Sequence, residues 1–509
     1  MSPQFIIWPV IFPLLLSVLL LFTWAKVNLQ RFISIAGSVV SVVLAVALFT
    51  YTRSEGVIAM QAGNWPAPFG ITFVSDSLSS VLILLASLAG LAVSVFSSVG
   101  INSPRVRFGF YPVYHILLTG LNGAFLTGDI FNLYVWFEVI IICSFVLITL
   151  GGERKQLEGA VKYFTLNMLA SVIFLTAIAI VYGLTGTLNM ADLSLQIAKI
   201  ENRFLVDIAA LFFFVGFGIK AAVFPLYFWL PASYHTPPDA ISAIFGGLLT
   251  KVGVYAYIRV FTLIFPADAF IREVLVVTAI LTIASGALGA LIQNNLRKVF
   301  SYLIVCHIGF MMAGLGLGTE QSFTGTVSYL IHDILVKTNI FLVSGLALAI
   351  TGSLSLRDIG GLYKQHPWIA LLMAIPLFSL VGVPPLSGFW PKISLFGAAL
   401  DTQSYWVLGA LIFGSLLTLF IIAKVWAALV WQNPSEKIEK GEVYGTFSGL
   451  PAGIRVRYVF PVALLALCSL YVGLGAEFIM DISTDVALLL KDPKPYIEAV
   501  LGPEQSLIP

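Results

Sequence analysis

Residues 217–231 read FGIKAAVFPLYFWLP, an apolar run that holds one lysine, Lys220, and is broken by Pro225 before Pro231 closes it. What a chain gains by setting an ammonium group beside a helix break depends on the solvent around the segment. The rest of the sequence settles that solvent. Of 509 residues, 59% are hydrophobic and only 10% are charged, whereas soluble domains carry roughly 25% charged residues. A chain this poor in charge cannot clothe a water-facing surface, so it lies mostly in lipid.

Continuous apolar windows of about 20 residues, the length needed to cross a hydrocarbon core of about 30 Å, recur from 5–24 to 457–477. Fourteen such windows are expected. They are not the short alternating strands of a membrane barrel, so the fold class is all-α integral membrane with about 14 transmembrane helices. The N-terminal stretch has no charged side chain before Lys26 and lacks the basic region and cleavage site of a secretory signal, so it reads as a retained first span.

Charge gives the orientation. Of the 27 lysines and arginines, 15 fall in loops opposite the termini, Lys437 and Lys440 among them, and seven on the terminal side. The positive-inside rule then places both termini outside. A net charge of +2 with no basic cluster excludes a nucleic-acid partner. Cys143, Cys306 and Cys468 are far apart in apolar surroundings; with no Cys or His metal spacing and no nucleotide-binding glycine motif, neither a metal nor another cofactor is expected.

The other five basic residues, Lys220, Lys251, Lys337, Lys392 and Lys424, fall inside the windows. An ammonium at mid-span costs about 2.5–3.5 kcal/mol on insertion scales. Lys424, near a span end beside Trp426 and Trp431, can snorkel to the headgroups. Lys220 lies too deep for that. Pro225 cannot donate to the carbonyl of Ala221, and lipid offers that carbonyl no partner. Lysine and break together point to a hydrated pocket within the bundle. The pattern returns in LVGVPPLSGFWPKISLF, where Pro384, Pro385, Gly388 and Pro391 interrupt a second run and Lys392 follows. Two interrupted helices in corresponding places of two halves suggest inverted repeats around a transport path.

Glu138, in FNLYVWFEVIIICSFVL, supplies the opposite charge near mid-span. A buried carboxylate stays ionised only beside a cation. His307 and His332 also fall within spans, His332 close to Asp333 and Lys337. Imidazole can give and receive protons near neutral pH, although a lone buried histidine often serves only as a hydrogen-bonding group. His235, in HTPPDA, reads as a loop or helix-cap residue.

The run GIKAAVFPLYFWLPASYHTPPDAISAIFGGLLTKVGVYAYIRVF, with NLYVWFEVI, RKVFSYLIVCHIGFM, RDIGGLYKQHP and GVPPLSGFWPK, resembles the antiporter-like membrane proteins over roughly residues 70–430. That family includes membrane-arm subunits of respiratory complex I, membrane-bound hydrogenases and the Mrp multisubunit sodium/proton antiporters. FNLYVWFEV and LLTKVGVYAYIRVF are most similar to the D-type subunits of the Mrp group. The resemblance implies that Glu138 on the fifth helix and Lys220 on the broken seventh form a coupled pair. It further implies that Lys251 on the eighth passes protons along the midplane, followed by His307 on the tenth, His332 and Lys337 on the eleventh, and Lys392 on the broken twelfth. In the family a histidine and a lysine are often four residues apart on the eleventh helix; here His332 and Lys337 are five apart.

The expectation is therefore a secondary transporter subunit rather than an enzyme, conducting protons along a buried Glu/Lys/His axis while its complex exchanges cytoplasmic Na+ (or K+) for external H+. Its partners would be other subunits of a Mrp-type complex in a prokaryotic cell membrane. The alternative is a proton-pumping subunit of an NADH-quinone oxidoreductase or membrane-bound hydrogenase. The chain divides into N-terminal helices (1–100), a first antiporter-like half (101–265), a second (266–432) and a final helix with a tail (433–509).

Overall fold

The computed structural model describes residues 2–266, 269–433 and 447–503; Lys437 and Lys440 lie outside them. Among the described residues, twelve helices are long and apolar enough to cross a membrane. In chain order the helices that build the bundle are α1 (Pro3–Phe22), α2 (Val27–Glu55), α3 (Ser77–Gly100), α4 (Phe110–Leu126), α5 (Ile130–Thr149), α6 (Arg154–Thr185), α7 (Phe204–Ala221), α8 (Asp239–Leu263), α9 (Ala269–Leu291), α10 (Leu296–Leu317), α11 (Glu320–Thr351), α12 (Pro367–Val381), α13 (Phe389–Asp401), α14 (Tyr405–Trp431), α15 (Ala452–Leu474) and α16 (Ala476–Lys491). The twelve spans together with α4 and with the interrupted pair α12–α13 make the expected fourteen.

Apolar composition makes these segments helical in lipid, because only a helix satisfies every backbone group within the segment. Polar residues mark the ends. Asp76 and Thr319 form reciprocal caps with Ser79 and Ser322 at the starts of α3 and α11, while Asp129 and Asn295 accept from the backbone at the starts of α5 and α10. Between α2 and α3 the chain forms a two-stranded antiparallel hairpin, β1 (Ile58–Gln61) with β2 (Thr72–Ser75), Ile58 opposite Ser75. Helix α16 buries Ile482, Val486, Ala487 and Leu490 and packs on α11.

Both proline-rich stretches interrupt their helices as expected. At the first, Ala222 adopts φ 64° and the Val223 amide reaches back to Gly218 O at 3.0 Å; at the second, Gly382 adopts φ 86° and Val383 reaches Phe378 O at 3.3 Å. The two reversals share one bonding pattern at a constant separation of 160 residues (382 − 222, 383 − 223, 378 − 218). A second matched pair lies at the helix starts. Ile130 and Met190 pair with Leu188 and Gly128, as Leu296 and Leu356 pair with Leu354 and Asn294, 166 residues later (296 − 130, 354 − 188). Because spans alternate in direction, the starts of α5 and α10 lie on opposite faces, which is the relation inverted repeats require. Equivalent lysines are absent from the breaks: Lys220 precedes its left-handed residue by two positions, and Lys392 follows Gly382 by ten. The halves repeat in backbone more than in side chain.

Candidate functional site

Most of the polar residues singled out in the sequence converge on a buried line through α5–α15. At its middle, Lys251 of α8 and Asp333 of α11 face each other with Nζ 2.8 Å from Oδ2, both completely buried. Asp333 Oδ1 lies 3.4 Å from His307 Nδ1 and 3.9 Å from Lys337 Nζ. A single carboxylate thus faces two ammonium groups and an imidazole. Backbone carbonyls complete the lysine shells: Lys251 donates to Gly246 O at 2.8 Å and Lys337 to Leu303 O at 2.9 Å. Gly246 belongs to a π-helical turn, Phe245–Leu249, inside α8. Such a turn leaves the regular ladder irregular and frees carbonyls for other donors.

Asp333 is the residue that sequence reasoning undervalues. Along the chain it stands out only as a neighbour of His332, yet it is four residues before Lys337, the spacing that puts an acid and a base on one helix face. The five-residue spacing of His332 and Lys337 has the same explanation. His332 turns away from the Asp333 cluster toward the second break, where its Nδ1 lies 2.8 Å from Ser387 Oγ. Ser387 is 2.8 Å from Ser469 of α15, which is 3.1 Å from Ser379 of α12. These three buried hydroxyls form a chain that no apolar-window reading could assemble, since its members come from three segments. Tyr329 holds the geometry, with its ring edge-on to both His307 and His332 at centroid distances of 5.8 and 5.6 Å.

Lys392 donates to Val381 O at 2.6 Å and Leu380 O at 3.3 Å, over the ring of Phe310. These are carbonyls freed where α12 stops, so the second break and its lysine do meet as expected. The first break is satisfied differently. Trp229 donates its indole N–H to Ile219 O at 2.9 Å, and Thr282 of α9 accepts from the Phe224 amide at 2.9 Å. Protein groups fill that gap, rather than Lys220. Lys220 instead reaches α6, donating to Asn167 O (3.2 Å) and Ser171 Oγ (3.1 Å) above the Phe137 ring.

Glu138 and Lys220 are not within ion-pair distance, so any coupling of the pair acts across the space between them rather than through a contact. Asn167 and Ser171 take the ammonium, and Glu138 Oε1 is buried with no hydrogen-bond partner among the described residues. Lys424 is half-buried, its Nζ 3.4 Å from Leu291 O and Gln293 O at the end of α9. It stays at a helix end, apart from the line.

Beneath the first break, a cavity of about 750 Å³ opens on the face that carries Lys155, Lys162 and Lys298, and His235 lines it. His235 sits in the turn before α8, 2.8 Å from Pro231 O. Burial, with Lys298 beside it, holds its imidazole down at about 4, so the ring is neutral at neutral pH. Further ion pairs brace the bundle. Arg297 grips both oxygens of the buried Asp239, Arg259 pairs with the buried Asp76 at 2.6 Å, and Arg105 meets the exposed Glu153 at 2.7 Å.

Acids, bases and hydroxyls of several helices thus stand within hydrogen-bond or ion-pair reach of one another inside the bundle. The family profile for the transmembrane region of NADH:quinone oxidoreductase and Mrp antiporter proteins matches residues 127–418. The chain is 40% identical over 498 residues to the D subunit of the Na(+)/H(+) antiporter of Alkalihalophilus pseudofirmus, spanning 97% of this chain and 99% of that one. With the corresponding antiporter chain of Bacillus subtilis it shares 38% over 499 residues, 98% and 99% of the two chains. A chain in the solved structure of the Mrp complex from Dietzia sp. is 29% identical and superposes with a TM-score of 0.90 over 99% of this chain and 100% of that one.

Proposed function

The chain belongs to the NADH:quinone oxidoreductase/Mrp antiporter transmembrane family, and on that premise we propose that it is the proton-conducting subunit of a Mrp-type complex that exchanges cytoplasmic Na+ or K+ for external H+. It is a multi-pass membrane protein and a cation/proton antiporter subunit, a secondary transporter rather than an enzyme. Its partners are the other subunits of the complex, and the proposed location is the prokaryotic cell membrane.

The Lys251–Asp333 pair carries this reading. It joins a helix of the first half to a helix of the second with both groups fully buried. Burying charges is costly unless they are paired, and a scaffold gains nothing from the outlay. A proton added near Lys220 or Glu138 changes the field at Lys251. The Lys251–Asp333 pair loosens or tightens in response, and Lys337, His307, His332 and Lys392 follow in turn. The Ser387–Ser469–Ser379 chain gives His332 hydroxyl partners through which a proton can leave. Near-full-length identity with the D chains of antiporters favours this reading over a pump module of a redox complex.

The test is Lys220→Ala in the assembled complex, reconstituted in vesicles with a pH-sensitive dye. Cation-driven proton exchange is expected to vanish while the variant chain still co-purifies with its partners. Normal exchange in that variant would sink the assignment.

A further inference from the structure

A second line of polar side chains runs through α1–α4, and among the described residues none of its members lies within hydrogen-bond or ion-pair distance of the line in α5–α15. His115 of α4 is at its centre, completely buried. Its Nε2 lies 2.8 Å from Ser34 Oγ of α2, which is 2.8 Å from Ser94 Oγ of α3. Its Nδ1 has no partner among the described residues. One turn toward the start of α4, Tyr111 accepts from Ser97 at 3.3 Å. There Arg31 of α2 donates to Ile101 O, just past the end of α3, at 3.1 Å. In the other direction Ser38 and Asn122 Oδ1 are buried without partners among the described residues. Both residues line a cavity of about 10 Å³ shared with Ser41 and Ser87.

We propose that this line is a second, water-occupied proton path through the subunit, with His115 as its carrier. Unpaired buried polar groups are rare and ordinarily bind water, and a space of about 10–15 Å³ with two or more polar partners holds one. The cavity's polar lining is neutral hydroxyl and amide oxygen, and among the described residues no carboxylate lines it. It therefore suits water better than a desolvated cation. Imidazole accepts at one nitrogen while donating from the other. A hydronium at Nδ1 gives up a proton, which breaks its O–H bond, leaves neutral water and forms one N–H bond. Release of the Nε2 proton to Ser34 breaks the other, Ser34 passes its own proton to Ser94, Ser94 releases its own to water on the Arg31 side, and the ring ends neutral in its other tautomer. The line runs from Arg31, near the basic face, to Asn122, four residues from the end of α4.

Hydroxyl-radical footprinting of the intact complex, which labels side chains beside bound water, tests occupancy. His115 and Leu118, both buried, should label as readily as surface residues, and Lys220→Ala should leave that labelling unchanged. Absence of labelling would overturn the proposal, as would labelling that Na+ suppresses but choline does not, since a cation would then occupy the cavity. Transport supplies the second readout. His115→Gln keeps a hydrogen-bonding side chain that cannot carry a proton. Added to Lys220→Ala, it should cut the residual proton flux down an imposed pH gradient by about a hundredfold or more, the lower end for a lost proton-transfer group. Unchanged flux in this double variant would dismiss His115 as a carrier whatever the fate of the Lys220 assignment.

Discussion

Asp333 is where the electrostatics of this protein concentrate. One carboxylate stands within 4 Å of Lys251, Lys337 and His307, so Asp333→Asn leaves two buried ammonium groups without a counter-charge. Breaking a buried pair from one side costs about 3–5 kcal/mol unless the lysines shed protons. Thermal unfolding of the purified complex should show the loss, and exchange should fall by about tenfold or more, equivalent to about 1.4 kcal/mol. Wild-type exchange in Asp333→Asn would remove the carboxylate from the proton path. Glu138 tests a longer reach. Because it does not touch Lys220, its effect must travel as field rather than as a bond. Glu138→Gln should then abolish exchange and Glu138→Asp should keep part of it; equal activities in dye-quenching assays would refute a charge-based role.

The broken helices are built by sequence and positioned by their neighbours. Gly253 of α8 lies against the end of α7, where an added Cβ would come within 2.6 Å of Ala221 N and 2.9 Å of Lys220 C. Gly253→Val must therefore push α8 off the break. Overpacking of this kind costs about 1–3 kcal/mol, visible as a lower unfolding temperature, and exchange should fall with it because Lys251 is two residues away. At the second break, Lys392 binds two freed carbonyls. Lys392→Arg keeps a positive charge but cannot release its proton. It should impair exchange nearly as much as Lys392→Ala, with both variants assembling normally; full exchange with arginine would leave Lys392 a static charge. The proline-glycine runs made both breaks legible in advance. Their backbone equivalence was not, because V-x-P-L is nearly all that the side chains share.

Lys251 of α8 and Asp333 of α11 join two helices distant in sequence, and a double-mutant cycle measures that contact. Lys251→Ala and Asp333→Ala should each destabilise the complex, and together by less than their sum, with a coupling of about 0.5–3 kcal/mol. Lys251→Ala combined with Lys424→Ala should be additive, since Lys424 lies elsewhere on the ends of α9 and α14. Additivity in the first pair would mean that the halves do not communicate through this contact.

Composition determined that the chain lies in lipid, because 10% charge cannot clothe a water-facing surface, and continuous apolar windows of about 20 residues determined that it spans as helices. The same desolvation cost made Glu138, Lys220, Lys251, His307, His332, Lys337 and Lys392 conspicuous. Which of them meet was beyond the sequence, since contacts between helices depend on crossing and rotation, which spacing along one helix does not encode. Asp333 gathers Lys251 from 82 positions upstream (333 − 251) and His307 from the preceding helix, while Asn167 and Ser171 rather than Glu138 accept from the Lys220 ammonium. The Ser379–Ser387–Ser469 chain joins three unremarkable serines that only packing brings within hydrogen-bond reach.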